Sequence, residues 1–315
     1  MPTTHLTSED LQARTVHAVA AAMGAGRALG LVVYEPKVLH DVFSVVVHLS
    51  PSPVVVRVPV VLPPGLDGPP QAARQARELA AVAWLADRGL PVVRPSPLVP
   101  REPVRRDGYS MTFWEFVEVD ASREPDYVAE AALAADLHAA LRDYPGELPF
   151  LSPLAASVPT CLALLEENPG LLAPADLDRA RAEWGVLAPV LSSREAFAAM
   201  FPTANIQPIH GDGPSYNIIR TTSGVRYADF EDVNLGPVEW DLSFLGPDGI
   251  AVYNAAAARA GIRPLDPAVL RVMDAARMLL VVTCHALVPQ LPMLAEALAP
   301  SMQTWRTMPF AGGLS

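Results

Sequence analysis

Lysine is almost missing from this chain: of its 23 basic residues, 22 are arginine and Lys37 stands alone. A mechanism that requires a lysine anywhere else is thereby excluded. Cysteine is nearly as scarce. Cys161 and Cys284 are the only two, too few for a disulfide framework or a thiolate metal site. Both read as small buried hydrophobes in a reducing compartment. Long hydrophobic runs are also lacking. The longest strongly apolar stretch, Met278 to Val288, is 11 residues and contains His285, too short to span a bilayer. Met1 to Asp10 has neither a basic head nor an apolar stretch, so no export signal is visible and a cytoplasmic location is expected. Positive charge is in deficit, with Lys+Arg 23 against Asp+Glu 34 and a net charge of −11. That balance argues against nucleic acid as a partner, because phosphate tracking needs clustered basic side chains. It says nothing about oligomeric state.

What the chain does have is apolar bulk. Hydrophobic residues make up 51% of 315 positions and charged ones only 18%, the composition of a globular protein with a sizeable core and room for two lobes. Thr7 or Ser8 can cap a first helix whose apolar positions include Leu11, Val16, Val19 and Met23, with Gly24 and Gly26 as stops. Three β-rich runs follow, Leu29–Tyr34, Val42–Leu49 and Val54–Val61. Turns at Glu35-Pro36 and Pro51-Ser52-Pro53 divide them, the pattern of an antiparallel meander. After a Pro/Gly loop from Pro63 to Pro70, a helix is expected over about Gln71 to Arg88, stopped by Gly89. Tyr109–Val117 then reads as another strand. Beyond Glu124 the apolar period becomes helical, with Leu133, Leu137 and Leu141, then Pro159–Asn168 and Pro174–Ser192. Strands first and helices afterwards predict an α+β protein of two lobes, residues 1–117 and 118–315, with a hinge near Val117 to Ser122.

The chemistry concentrates in His210-Gly211-Asp212-Gly213-Pro214-Ser215-Tyr216-Asn217 and Asp229-Phe230-Glu231-Asp232. Ile218–Arg220 and Val225–Ala228 read as short strands around the turn Thr221–Gly224. If Arg220 pairs with Val225, Ile218 lies beside Tyr227, and Asn217 and Asp229 meet at one end of the hairpin. A carboxylate and an amide oxygen there make a hard-oxygen site suited to Mg²⁺, which takes its other ligands from water and phosphate. Asp212 lies five residues before Asn217 on the incoming loop, a position fit for a base that accepts a hydroxyl proton.

His-x-Asp-x-x-x-x-Asn followed by an Asp after a hairpin is the catalytic-loop spacing of protein-kinase-like phosphoryl transferases. The sequence resembles the phosphotransferase family that includes aminoglycoside phosphotransferases and choline kinases. Three ordered blocks carry the likeness: Ile209 to Asn217, Tyr227 to Asp232, and Gly236-Pro237-Val238-Glu239-Trp240-Asp241-Leu242. Leu137-His138 and Arg77-Glu78-Leu79 are weaker echoes. The resemblance implies a two-lobed kinase-like fold and transfer of phosphate from ATP, with Mg²⁺, to a hydroxyl of a small molecule. It implies Asp212 as catalytic base, Asn217 and Asp229 as metal ligands, Asp241 as a brace of the catalytic loop, and His210 as structural support. Glu78 would pair with a third-strand cation that touches the phosphates, and Glu115 and Val117 would offer backbone groups to adenine. The substrate pocket would be built from helices between about Pro149 and Ser192 and those after Gly249.

The chain departs from that family at three places. Arg57 stands where the third strand usually carries lysine, and an arginine is longer, planar and forked. Lys37, expected on the turn between the first two strands, is the alternative cation. Glu35 to Asp41 occupies the place of a glycine-rich phosphate loop, and Gly213-Pro214 leaves no lysine after Asp212. These departures favour an alternative function, a catalytically degenerate nucleotide-binding or regulatory protein. Blander readings exist for single residues: Glu78 as a solvated partner of Arg74 at i−4, Glu231, Asp232 and Glu239 as acceptor-pocket or surface carboxylates, and His138 and His285 as satisfied core histidines.

Overall fold

The computed structural model describes residues 5–63 and 65–314. Met1 to Thr4 of the segment read for an export signal, and Pro64 of the Pro/Gly loop, lie outside them. Helix α1 (Ser8–Ala28) starts where expected, because Thr7 and Asp10 cap each other's backbone N–H groups. It does not stop at Gly24 or Gly26. Those glycines let the helix lie close on the sheet: a Cβ at Gly24 would come 2.4 Å from Arg106 Nε, and one at Gly26 would come 2.6 Å from Leu49 Cδ1. The chain turns instead at Gly30, whose φ is +87°.

Strands β1 (Val33–Asp41), β2 (Ser44–Pro51), β3 (Val54–Pro59), β4 (Val104–Arg106) and β5 (Tyr109–Glu115) form one antiparallel sheet in the order β1-β2-β3-β5-β4. The first strand lies later in sequence than its expected position. Glu35 and Pro36 are not a turn but pair with Ser50 and Leu49, and Lys37 pairs with His48 in mid-strand. Proline is tolerated there because β1 is the sheet edge. Lys37 is therefore not on a phosphate-facing turn, and the chain reverses at Val42-Phe43 instead. Helix α2 (Pro69–Asp87) follows β3 and ends at Gly89, as expected. The strand expected to reach Val117 ends at Glu115.

The C-terminal part is helical: α3 (Tyr127–Leu141), α4 (Ser152–Glu167), α5 (Pro174–Leu191), α6 (Arg194–Met200), α7 (Gly246–Arg259), α8 (Pro267–Thr283), α9 (Leu294–Ala297) and α10 (Ala299–Thr307). Helix α4 starts before its expected start, because Pro159 lies inside it rather than at its first turn. Two small sheets interrupt the helices. Strand β6 (Ile206–Ile209) pairs with β9 (Asn234–Pro237), and β7 (Ile218–Thr221) with β8 (Gly224–Tyr227). Trp240, Trp305, Tyr253 and Phe197 are fully buried in the helical core. A second core seats α1 on the sheet through Ala18, Ala21, Val45, Val56 and Met111. A third joins the two parts, with Leu79 and Leu85 of α2, Trp114 of β5, Leu137 and Leu141 of α3, and Phe230 packed together. The linking segment is tied down at Val119, which bridges Thr221, and at Asp120, whose N–H donates to Arg220 O at 2.9 Å. No helix among the described residues is long and apolar enough to cross a membrane.

Candidate active site

Strand pairing builds the site. Ile209 at the end of β6 lies opposite Asn234 at the start of β9, so the loops His210–Asn217 and Asp229–Val233 leave one end of that sheet together. The β7–β8 register pairs Ile218 with Tyr227 and Arg220 with Val225, as expected from the sequence. The Ala228 N–H donates to Asn217 O at 2.9 Å, which places Asn217 and Asp229 side by side.

Asp241 fixes the first loop. Its carboxylate accepts from the His210 N–H at 2.8 Å, the Gly211 N–H at 2.7 Å and His138 Nε2 at 2.9 Å. It is buried, which alone would raise its pKa. These donors and the nearby imidazoles hold it below the ordinary carboxylate value. With His138 Nε2 donating, its Nδ1 is left to accept from the Tyr253 hydroxyl at 2.9 Å. His210 Nε2 contacts Ala228 O at 2.9 Å, and its Nδ1 accepts from the Asp212 N–H at 3.3 Å, so this ring joins the two loops from below. Gly211 has φ +96°, and a Cβ there would lie 1.9 Å from Asp232 O, so no other residue fits.

Asp212 stands at the mouth of this frame with 51% of its side chain exposed, in a cleft crowded by protein. That crowding pushes its pKa up to about 6, against the pull of the Arg277 guanidinium and with the help of Asp232. Asn217 Nδ2 donates to Asp212 O at 2.7 Å and approaches Oδ2 at 3.4 Å. Its amide nitrogen is thus committed to the loop, and its carbonyl oxygen is the atom left for a ligand. Asp229 adopts φ +60°. Its Oδ1 is buried and accepts no hydrogen bond, although Arg57 Nη2 lies 3.1 Å away. Burial, Glu231 and Asp212 raise its pKa to about 6 despite Arg57.

Those oxygens fit a divalent cation. Among the described residues no three His, Cys, Asp or Glu side chains gather as a complete metal site. The ion would rest on Asn217 and Asp229 with water and phosphate completing its shell, which is how Mg²⁺ binds beside nucleotides.

Arg57 projects from β3 into the same region. Its guanidinium lies 2.7 Å from Glu231, 3.1 Å from Asp229 and 3.8 Å from Glu78. Burial disfavours its charge, but the three carboxylates outweigh that and raise its pKa. The expected Glu78–Arg57 pair is present but long. Glu78 is buried, and its pKa is pushed up to about 8 by that burial. Glu78 does not pair with Arg74. That arginine contacts Asp232 at 2.5 Å and Glu231 at 3.5 Å, so these two carboxylates are partly buried and paired rather than free at the surface. His138 is a satisfied core histidine, and His285 is buried with its Nδ1 2.9 Å from Val282 O. Glu239 is buried and accepts from the Asp266 N–H at 2.9 Å.

Arg57, Glu78, Glu115 and Val117 line one cavity of about 340 Å³ with Asp229. Its other walls are largely apolar, from Val46, Val55, Val82, Val93 and Trp114, a slot for a flat ring with charged groups at one end. A second cavity of about 450 Å³ opens over Asp212 between the loop, α8 and α10. The helices after Gly249 do wall it. Helix α4, within the other expected range, lines a neighbouring cavity of about 280 Å³.

The sequence reading missed Arg277 and Trp240 as a pair. Arg277 stacks 3.7 Å from the Trp240 ring, donates from Nη1 to Asp212 Oδ1 at 3.2 Å, and donates from Nη2 to Gly211 O at 3.1 Å and Trp240 O at 3.2 Å. The available signal was a lone arginine at the edge of the longest apolar run. A cation at such a position needs a partner.

A family model described as "Phosphotransferase enzyme family" matches residues 44–277, which contain every site residue named above. No curated protein matches the chain. Among solved structures, the amicoumacin kinase hAmiN in complex with AMP-PNP, Ca²⁺ and Ami is 13% identical, with a TM-score of 0.60 and 98% of each chain covered. Choline kinase LicA from Streptococcus pneumoniae is 13% identical with a TM-score of 0.58, covering 91% of this chain and 99% of that one. Spectinomycin phosphotransferase APH(9)-Ia in complex with ADP and its antibiotic is 9% identical with a TM-score of 0.56, covering 91% and 93%. The two-lobed, kinase-like fold expected from the sequence is the fold these chains share.

Proposed function

The chain belongs to the phosphotransferase enzyme family, and on that premise we propose that it transfers the γ-phosphoryl group of ATP, in the presence of Mg²⁺, to a hydroxyl of a small molecule. The observation that carries this reading is the convergence of Asp212, Asn217 and Asp229: Asn217 Nδ2 donates to Asp212 O at 2.7 Å, and the Ala228 N–H, next to Asp229, donates to Asn217 O at 2.9 Å. Adenine enters the apolar cavity beneath β3, with the backbone of Glu115 and Val117 at the junction between the lobes, residues 1–117 and 118–315. Arg57, supported by Glu78, meets the phosphates. Asn217 and Asp229 hold the metal ion, which when bound neutralises charge on the phosphates. His210 and Asp241 hold the loop in place.

Asp212 accepts the hydroxyl proton as the acceptor oxygen bonds to the γ-phosphorus and the bridging oxygen leaves with ADP. A base poised near pH 6 is ionised at neutral pH yet retains useful proton affinity. Positioning and charge neutralisation supply most of the acceleration. The reaction is placed in the cytoplasm, where ATP is available.

Asp212→Asn is expected to lower phosphoryl transfer by roughly 10²–10⁴-fold while nucleotide affinity stays within about threefold of the parent, as read by calorimetry and ADP release. Undiminished turnover would remove Asp212 as the base. One observation favours the second reading, a nucleotide-binding protein without catalysis: Arg57 lies against the metal-ligand candidate Asp229. Mg²⁺-dependent ATP binding with no product from a pooled alcohol library, and no hydrolysis, would select that reading.

A further inference from the structure

The cavity that Asp212 lines also carries information about the acceptor. Its walls are largely apolar, with Trp240, Phe244, Met278 and Val281 joined by Ser301 and Thr304 in the lining. Only two carboxylates line it, Asp212 and Asp241. Asp241 is saturated by three N–H donors. Asp212 faces Arg277 and is the base in the proposed reaction. No carboxylate is left over for a ligand ammonium group.

The cation on the same wall is in the opposite condition. Arg277 spends both Nη2 hydrogens on backbone carbonyls and one Nη1 hydrogen on Asp212. Its Nε–H and second Nη1 hydrogen have no partner among the described residues. Trp240 clamps the plane of the guanidinium. A guanidinium held in this way, with an unspent Nη1 hydrogen, suits one oxygen of an acid group. The neighbouring cavity repeats the pattern. Glu231 and Asp232 there are engaged by Arg57 and Arg74, while Arg77, which lines it too, feels Asp232 but forms no salt bridge among the described residues. Burial and the adjacent Arg74 lower the Arg77 pKa, with Asp232 opposing them only in part.

Building on the phosphoryl-transfer reading, we infer that the acceptor is a hydroxyl compound with an apolar body and an acid group, carboxylate or phosphate ester, that binds Arg277, and that cationic amino sugars and choline-type amines are excluded. The acid accepts the free Nη1 hydrogen of Arg277, and the body lies along Trp240, Met278 and Val281. The hydroxyl faces Asp212. Its proton passes to that carboxylate, its oxygen bonds to the γ-phosphorus, and the bond to the bridging oxygen breaks to release ADP. An ammonium group in the same place would face Arg277 with nothing to neutralise it.

The test uses the full chain with matched acceptors that differ in one head group: para-(hydroxymethyl)benzoate, hydroxyhexanoate and glucuronate against para-(aminomethyl)benzyl alcohol, aminohexanol and glucosamine, with glycerol 3-phosphate, which keeps free hydroxyls and has no amine, as the phosphate-ester member. Binding is read as a Tm shift with Mg²⁺ and a non-hydrolysable ATP analogue, and transfer as ATP-dependent mass gain. Acids are expected to bind and to exceed their paired amines at least tenfold in kcat/KM, with the phosphate ester showing which acid is preferred. Ser301→Asp adds a carboxylate to the lining and is expected to lower the acid-to-amine ratio at least tenfold, a ratio measured on one preparation and so insensitive to its folded fraction. Amines that equal or exceed acids, or a panel in which no acid binds, overturn the inference and leave phosphoryl transfer standing. Absence of both transfer and ATP hydrolysis, with nucleotide bound, overturns the phosphoryl-transfer reading and the inference with it.

Discussion

Arg57 is where this chain departs most from the lysine-bearing pattern, and its contacts make a quantitative prediction. Arg57 Nη2 and Glu231 Oε1 are 2.7 Å apart, with 13% and 21% of the two side chains exposed. Unit charges centred about 4 Å apart at an effective dielectric constant near 20 attract by about 4 kcal/mol. Desolvation and the residual exposure offset roughly half of that. A double-mutant cycle of Arg57→Met and Glu231→Gln, followed by urea unfolding at neutral pH, is therefore expected to give a coupling of about 2 kcal/mol. Arg57→Met alone is expected to cost about 3 kcal/mol, because it leaves Glu231 and Asp229 facing each other without their shared cation. The pH dependence has a definite sign. Burial would raise the Glu231 pKa, but Arg57 and Arg74 bring it down to about 2, from an ordinary 4.5. A depressed carboxylate pKa stabilises the folded state above the ordinary value, and that contribution is lost as pH falls toward the lowered one. The coupling should thus persist at pH 5 and fade between about pH 4 and pH 2. Arg57→Lys, with a compact point charge in place of a fork, cannot serve Glu231 and Asp229 together and should lose about 1 kcal/mol or more. A coupling below about 0.5 kcal/mol at neutral pH would refute the claim that this cluster holds Arg57 in place.

Other perturbations follow from the same geometry. Gly211→Ala forces a Cβ to within 1.9 Å of Asp232 O at φ +96°; a loss of more than about 3 kcal/mol in thermal or urea unfolding is expected, and a near-neutral result would contradict the loop geometry. Asp241→Asn replaces a buried acceptor of three N–H groups and should destabilise by about 2–4 kcal/mol. Because the Asp241 pKa is depressed below its ordinary 3.8, the gap between parent and variant should shrink as pH falls below that value; a gap independent of pH would show that the charge is not what the donors recognise. Arg277→Met removes the cation that lowers the Asp212 pKa. On the proposal that Asp212 acts as an ionised base, the acid limb of the kcat/KM profile should move to higher pH by roughly half to one pH unit, and an unmoved limb would deny Arg277 that influence.

The sequence alone determined the parts set by local spacing. The hairpin register follows from Ile218–Arg220 and Val225–Ala228 around a short turn, and it forces Asn217 and Asp229 together whatever the rest of the chain does. The five residues from Asp212 to Asn217 likewise fix the Asp212 loop beside the amide. The switch from strand to helix beyond Glu124 was legible because apolar periods of two and near four differ. Local spacing misled where a residue type has two uses. Gly24 and Gly26 read as helix stops but serve close packing, and Glu35-Pro36 reads as a turn but is an edge strand, because the partner that decides each case is distant in sequence.

Only the tertiary structure decided the charge arrangement around Asp212. Arg57 chooses Glu231 over Glu78, Arg74 takes Asp232, and Arg277 reaches Asp212 from 65 residues away. Ion pairs have no sequence period. Their partners are set by which side chains burial brings within a few ångströms, and it is burial that gives those contacts their strength.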